Sequence, residues 1–232
     1  AQQLASERFA GRARAHNQRD RELTGERDEL RAERQRLEQG EDAAPPAPHY
    51  RAGAARRERA GAPLWQLLEF REDVPASQRA GLEAALEASG LLDAWVAPDG
   101  RLHDADGASP WHDTALMARQ RQAASLADWL MPADHADVPA PVVAALLESI
   151  ACGDAEAPQA EAWISPGGRF RIGPLAGAWN KPAACYVGYA ARAAARQRRL
   201  AEIGERDVQI AQALAIVAKE REKLAQQRQR AA

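Results

Sequence analysis

The chain is poor in the features that most readily announce a function. Its 232 residues contain two cysteines, Cys152 and Cys185. Two are too few for a disulfide framework and have no CxxC spacing, which excludes a stapled secreted scaffold and fits a reducing compartment. Aromatic residues make up 5% of the chain, so a modest core with long solvated helices is expected rather than a large packed body. No apolar run approaches the ~20 residues that span a bilayer, so a soluble, cytoplasmic protein without a membrane partner is expected. No GxxxxGK[S/T] loop is present, which excludes a phosphate-loop nucleotidase within these residues. Ser165 lacks the flanking glycines of a nucleophile elbow. Cys185 has no neighbouring His or Asn and sits in an Ala-rich stretch, where a small packing residue is the better reading than a nucleophile. The chain starts at Ala1 rather than Met, with no signal peptide; the expectation is a segment of a longer protein.

What is present is unevenly spread. Residues 1–61 hold 13 basic and 11 acidic side chains, residues 62–181 hold 8 and 17, and residues 182–232 hold 10 and 5. An acidic middle repels nucleic-acid phosphates, so any such contact belongs to the basic ends.

One stretch occurs twice. Ala94-Trp95-Val96-Ala97-Pro98-Asp99-Gly100-Arg101-Leu102 returns 68 positions later as Ala162-Trp163-Ile164-Ser165-Pro166-Gly167-Gly168-Arg169-Phe170. Pro presets a turn and Gly supplies positive φ, so each copy predicts a β-hairpin. Asp73-Val74-Pro75-Ala76 and Asp137-Val138-Pro139-Ala140 both read as helix starts, with Pro early. The helix after the first presents Leu82, Ala85, Leu86 and Ser89 on one face and ends at Gly90. An apolar run precedes each start, at 64–70 (read as a buried strand) and at 126–131. Three matched landmarks in one order predict two diverged copies of a strand–helix–hairpin unit, at about 64–103 and 125–175, with Trp95 and Trp163 equivalent. Neither copy has core enough alone, so the two are expected to pack as one pseudo-symmetric α/β body over 62–181. A joining helix is expected near 113–124.

Helical arms are expected on either side. In residues 1–39, Phe9, His16, Leu23, Leu30 and Leu37 recur every seven residues, while Ala13, Asp20, Arg27 and Arg34 fill the alternate seam positions. A helix so charged needs a partner. Residues 40–61, with Gly40, Pro45, Pro46 and Pro48, read as a flexible basic connector. From 182 to 232 the chain reads as helix, with Leu200, Ile203, Ile210, Leu214, Val217 and Leu224 on a seam interrupted by Asp207 and Arg221. Arms of about 60 and 70 Å at 1.5 Å per residue, leaving one body, should pair antiparallel as a coiled coil.

The candidates for chemistry are few. His103, Asp104, Asp106 and His112 are the best metal set, yet Asp-x-Asp-Gly lacks the later ligands of a calcium loop; a polar linker is the simpler reading, and no cofactor is expected. Arg56, Arg57, Arg59, Lys181, Arg192, Arg196, Arg198 and Arg199 could form a basic collar at the arm roots. Without interleaved aromatics, such a collar would fit the backbone of double-stranded DNA better than single strands. Trp95 and Trp163, with Leu102 and Phe170, could anchor an interface between copies.

A two-halved α/β body between antiparallel helices resembles the hinge of structural-maintenance-of-chromosomes (SMC) proteins. Gly61-Ala62-Pro63-Leu64-Trp65, Glu72-Asp73-Val74-Pro75, Gly81-Leu82-Glu83-Ala84-Ala85-Leu86-Glu87, the first hairpin, Gly168-Arg169-Phe170-Arg171-Ile172-Gly173-Pro174-Leu175 and Trp179-Asn180-Lys181-Pro182-Ala183-Ala184 resemble the middle region of the MukB-related JetC subunits of bacterial Wadjet plasmid-defence complexes. The resemblance covers about 62–200. It implies a parent ATPase with heads outside these residues, a homodimer through the hinge, kleisin-type and nuclease partner subunits, and loop extrusion on DNA; it implies no catalysis here. The long Pro-rich connector and the lack of a Gly-rich run depart from a generic hinge. The alternatives are a duplex-DNA-binding module using the basic arm roots, and a metal-dependent domain inserted in a coiled coil.

Overall fold

The computed structural model describes residues 2–49, 51, 56, 59–101 and 113–231, with side chains from Phe9 to Arg230 among them. The chain is mixed α/β and divides into two units, Ala1–Asp42 with Arg196–Ala232, and Ala43–Ala195.

The first unit is a pair of long helices, α1 (Gln2–Glu38) and the greater part of α4 (Tyr189–Ala231). They run antiparallel: Glu33 pairs with Arg199, Glu26 with Arg206 and Asp20 with Arg221, one number rising as the other falls. Leu23, Ile210 and Val217 form the buried seam, flanked by Leu30, Ala213 and Leu214. Each helix alone is too polar to bury a face; together they close one narrow apolar stripe. The interruptions read in each seam prove complementary. Asp207 receives a hydrogen bond from Arg27 Nε at 2.7 Å, and Arg221 lies 3.5 Å from Asp20.

The second unit opens with β1 (Ala62–Pro63), a 3-10 turn at Leu64–Leu67 and β2 (Leu68–Phe70). The strand expected over 64–70 therefore starts only at Leu68. Leu64, Trp65, Leu67 and Leu68 are all buried, and an alternating strand would turn half of them away from the core. Helix α2 (Ala76–Ala88) begins behind Pro75 as expected, and Gly90 follows its end with φ +79°. Strand β3 (Trp95–Val96) returns antiparallel to β1. The turn predicted at Pro98–Gly100 is present, but Arg101 after it is in no strand, and Leu102 lies outside the described residues.

No helix forms over 113–124. Asp113 is held by Arg56, and the next residues lie extended beside β3: Trp95 donates to Thr114 O and accepts from Leu116 N. Tertiary pairing overrides the local helical pattern here. A 3-10 turn at Leu126–Asp128 follows, closed by a reciprocal Ser125–Asp128 cap. Then come β4 (Leu130–Pro132), which pairs antiparallel with β2, α3 (Ala140–Ser149), again behind a proline, and β5 (Ala151–Cys152). The order 3-10 turn, strand, helix, strand thus occurs twice.

The remaining sheet runs β5, β6 (Ala162–Ile164), β7 (Arg169–Ile172), β8 (Leu175–Ala178), with β5 and β6 parallel and the others antiparallel. The hairpin predicted at 162–170 is present, with Gly168 at φ +88° in its turn. The sequence reading stopped short of β8. Trp95 and Trp163 are not equivalent: Trp95 lies in the strand that directly follows its helix, whereas the strand that follows α3 is β5, and Trp163 belongs to the next one. Topologically Ala151 matches Trp95, since each is paired antiparallel to the segment before a 3-10 turn and parallel to a later extended residue, Trp163 in β6 for Ala151 and the isolated bridge at Ala115 for Trp95.

The main apolar core of this unit lies on one face of the β5–β8 sheet, with a small cluster of Ala151, Ala160 and Trp163 on the other. Leu67, Leu68, Leu82, Leu86, Leu92, Leu126, Leu130 and Ile164 expose none of their surface. Helix α2 lies so close to the 165–168 turn that a Cβ on Gly81 would collide with the Pro166 carbonyl.

Candidate functional site

Three constellations carry the charge and exposed apolar chemistry of the body unit. The first surrounds Glu83. Residues Ala80–Leu86 are all buried, and Glu83 has no exposed surface. Its carboxylate accepts Lys181 Nζ and the backbone N–H of Cys185 at 2.6 Å each, the N–H of Val187 at 2.8 Å and that of Tyr186 at 3.0 Å. Lys181 also reaches Glu87 at 2.8 Å and lies over the Tyr186 ring, 4.6 Å from its centroid. Burial alone would lower the Lys181 pKa, but Glu83 and Glu87 outweigh it and hold it above its ordinary value. Burial and then the Glu87 charge raise Tyr186. This nest explains why the helix expected from 182 starts only at Tyr189: residues 185–187 spend their N–H groups on Glu83, and Gly188 turns at φ +85°. Glu69 then accepts the N–H of Tyr189 at 2.8 Å, a carboxylate at a helix N-terminus.

The second constellation ties the connector to the body. Arg56 makes a two-pronged contact with Asp113, Nε and Nη2 at 2.7 and 2.5 Å, and also bonds Asp93 through both its carboxylate and its carbonyl. Arg51 bonds the other Asp93 oxygen. Arg59 stands 3.6 Å from Asp113. The guanidinium groups of Arg56 and Arg59 lie over the Trp95 ring, and Trp95 Nε1 donates to Ala60 O. Within the connector, Arg51, Arg56, Arg59 and Ala60 are therefore held against the body.

These contacts place the predicted basic collar. Arg56, Arg59 and Lys181 are each paired with carboxylates of the body. Arg192 donates to Tyr186 O. In the helical unit, Arg196 pairs with Asp42 at 2.6 Å, and Arg199 grips Glu33 with both prongs at 2.7 and 2.9 Å. Those bonds lower Glu33 and raise Arg199. Arg198 is exposed, and Arg57 lies outside the described residues. Most of these cations already have an anion, which leaves little unmatched charge for a phosphate backbone.

The predicted interface anchors are likewise in use. Trp95, Trp163 and Phe170 are 5, 3 and 7% exposed. Phe170 belongs to the main core, and Trp163 packs with Ala151 and Ala160 on the other face of the sheet, under Arg169. Leu102 lies outside the described residues. Exposed apolar side chains of this unit sit elsewhere: Leu175 and Trp179, 59 and 43% exposed, lie together at β8 and just beyond it, and Met131 on β4 and Tyr189 at the start of α4 are exposed singly. This third constellation was not singled out from the sequence. Its signal was Gly173-Pro174, a second turn after the hairpin, followed by a short run without charge.

His103, Asp104, Asp106 and His112 all fall outside the described residues. Among those described, no group of three His, Cys, Asp or Glu side chains could hold a metal, and no helix is long and apolar enough to cross a membrane. Burial raises the Cys152 thiol far above its ordinary value, which suits a packing residue rather than a nucleophile. A hollow of about 410 Å³ beside Arg121, Ser125, Asp128 and Glu148 is lined by groups already engaged with one another, Asp128 on the Ser125 cap and Glu148 on Arg121. No family model, curated protein or solved structure matches the chain.

Proposed function

We propose that this chain is a hinge element of an SMC-like, JetC-type ATPase: a pseudo-duplicated α/β body carried between the two strands of an antiparallel coiled coil, joining two protomers of a DNA-organising complex. The observation that carries the reading is the pairing of α1 with α4. Two helices separated by about 150 residues of sequence run antiparallel, and the polar breaks in one seam answer those in the other, Arg27 with Asp207 and Asp20 with Arg221. Matched breaks fix register at some cost in stability, as polar seam positions do in coiled coils. A body inserted at the turn of such a pair is the arrangement that a hinge requires. The recurring 3-10 turn, strand, helix and strand supports a duplicated body, although the equivalences differ from those of the Trp-Val and Trp-Ile hairpins.

In this reading the fragment does no chemistry of its own, and its buried charges serve to hold the body and the start of α4 in one shape. Nucleotide hydrolysis and nuclease action belong to the parent protein and its partners. Sedimentation equilibrium at tens of micromolar tests the reading. A hinge gives a particle of twice the 25.2 kDa chain mass; a strictly monomeric chain refutes it.

A further inference from the structure

We propose that the open edge of β8 is the contact between two copies of the chain, each β8 pairing antiparallel with the other about a two-fold axis through Gly177. The inference rests on the hinge reading for the existence of a dimer, and it adds the surface and the register.

The backbone selects the edge. In the β7–β8 ladder, Gly168 and Trp179 share a hydrogen bond, Trp179 N to Gly168 O at 2.9 Å. Pairing alternates along an antiparallel ladder, so with Arg169 opposite Ala178 and Ile172 opposite Leu175, residues 175, 177 and 179 direct their N–H and C=O groups to β7. Ala176 and Ala178 direct theirs outward. Nothing among the described residues covers that side: β8 is the last strand of its sheet, and Leu175, Ala176 and Ala178 are exposed.

The side chains agree. Leu175, Gly177 and Trp179 share the face that carries Phe170, whose ring would lie 2.7 Å from a Cβ on Gly177. That is the core face of the sheet, and at β8 it runs out to the exposed Leu175 and to Trp179, which is partly exposed with Lys181 Nζ 5.6 Å from its ring centroid. Edge strands are ordinarily guarded by Lys, Pro or a bulge. Leu175-Ala176-Gly177-Ala178-Trp179-Asn180 has none of these; Lys181, next in the chain, is bound to Glu83 and Glu87, and Arg169 and Arg171, opposite Ala178 and Ala176 on β7, are engaged with the Asp154 carbonyl and with Glu156.

The pattern favours a second copy over a foreign strand because it is self-complementary. About Gly177, Ala176 meets Ala178 of the other copy as a pair exchanging both hydrogen bonds. Leu175 then stands opposite Trp179 of the other copy, twice over, and Gly177 faces Gly177. Isologous contacts need this reciprocity, and an apolar–aromatic cross-strand pair on one face is among the favourable ones.

Proline is tolerated where a strand N–H points outward from an edge. Ala176→Pro, Ala178→Pro and the surface change Trp179→Glu should each weaken self-association at least thirtyfold in sedimentation equilibrium, with unchanged far-UV circular dichroism. Register is tested by mixing Ala176→Cys and Ala178→Cys chains. The proposed pairing puts these Cα atoms about 5.5 Å apart, within disulfide range, whereas two Ala176→Cys chains are offset by two residues, about 7 Å along the strand, and out of range. Cross-linking in the mixture and not in either variant alone supports the inference, and this readout decides the matter if a proline variant fails to fold. A dimer that persists at parental strength in folded Trp179→Glu and proline variants, without the mixed cross-link, overturns the β8 contact while leaving a hinge dimer standing. A parental chain that is monomeric overturns both.

Discussion

Replacing Glu83 by Ala is expected to be the most damaging single carboxylate change in the body. The side chain is wholly buried and accepts four hydrogen bonds, three of them from consecutive backbone N–H groups. Its removal leaves Lys181, 7% exposed, with Glu87 as its remaining anion, and strands the N–H groups of Cys185, Tyr186 and Val187. Breaking a buried ion pair from one side costs about 3–5 kcal/mol, and a single stranded buried donor about 1–3 kcal/mol. The contributions overlap, and a loss of about 4 kcal/mol is expected, a large share of the roughly 5–15 kcal/mol that holds a domain together. Lys181→Met should cost less, because the backbone donors still neutralise part of the Glu83 charge, and the two changes together should be less than additive. Urea unfolding gives the free energies; amide exchange at 185–187 locates the effect. If Glu83→Ala loses under 1 kcal/mol and leaves the protection of those three amides intact, the carboxylate does not hold the start of α4 and the argument fails.

Three further outcomes follow from the same contacts. Arg56→Ala should cost about 2 kcal/mol, the loss of charge-assisted hydrogen bonds with Asp93 left to Arg51 and Asp113 to Arg59, and Arg56→Lys should recover only part of that, since an ammonium cannot reproduce the two-pronged contact with Asp113; urea unfolding gives both values. Leu23→Ala should destabilise the helical pair by about 2–3 kcal/mol through a cavity against Ile210 and Val217, seen as an earlier loss of helicity in a thermal scan. The pH profile should have two limits. Glu26, Glu33 and Asp207 are held below their ordinary values by hydrogen bonds from Arg206, Arg199 and Arg27. They bind fewer protons folded than unfolded, so their contribution is complete above the ordinary values of 4.5 and 3.8 and is lost as pH falls through the folded ones. Lys181 is raised, so its contribution is complete below 10.5 and fades as pH rises through its folded value. Thermal midpoints measured from pH 2 to 12 check both signs.

Much of the architecture was legible because it rests on short-range signals. Seven-residue spacing located both long helices, and Asp-Val-Pro-Ala located the starts of α2 and α3. Pro-Gly-Gly located the β6–β7 turn. What failed depended on partners distant in sequence. The run Leu64–Phe70 reads as a strand until the four buried side chains, Leu64, Trp65, Leu67 and Leu68, are asked to face one core. Residues 113–124 carry a helical pattern that loses to pairing of 114–116 with Trp95 and of Gln122 and Ala124 with Glu148 and Cys152. The arginines looked like a collar because their anions, Asp93, Asp113, Asp42 and Glu33, lie far away in the chain. Glu83 gave no signal in the sequence, because its partners, Lys181 and the N–H groups of 185–187, lie about a hundred residues further along the chain. The matched tryptophans misled for a different reason. Sequence likeness aligned the hairpins, while hydrogen bonding aligned Trp95 with Ala151, one strand earlier than Trp163.

Amide hydrogen exchange at Ala176 and Ala178, followed as the chain is concentrated from below one micromolar to tens of micromolar, tests the joined-copy account most directly. Edge-facing amides of a lone β8 exchange freely, and those of a β8 paired across a two-fold do not. The account predicts that protection of these two amides rises at least tenfold in step with the doubling of mass, while the amides of Leu175 and Gly177, already bonded to β7, change little. Unprotected Ala176 and Ala178 amides at every concentration would contradict it.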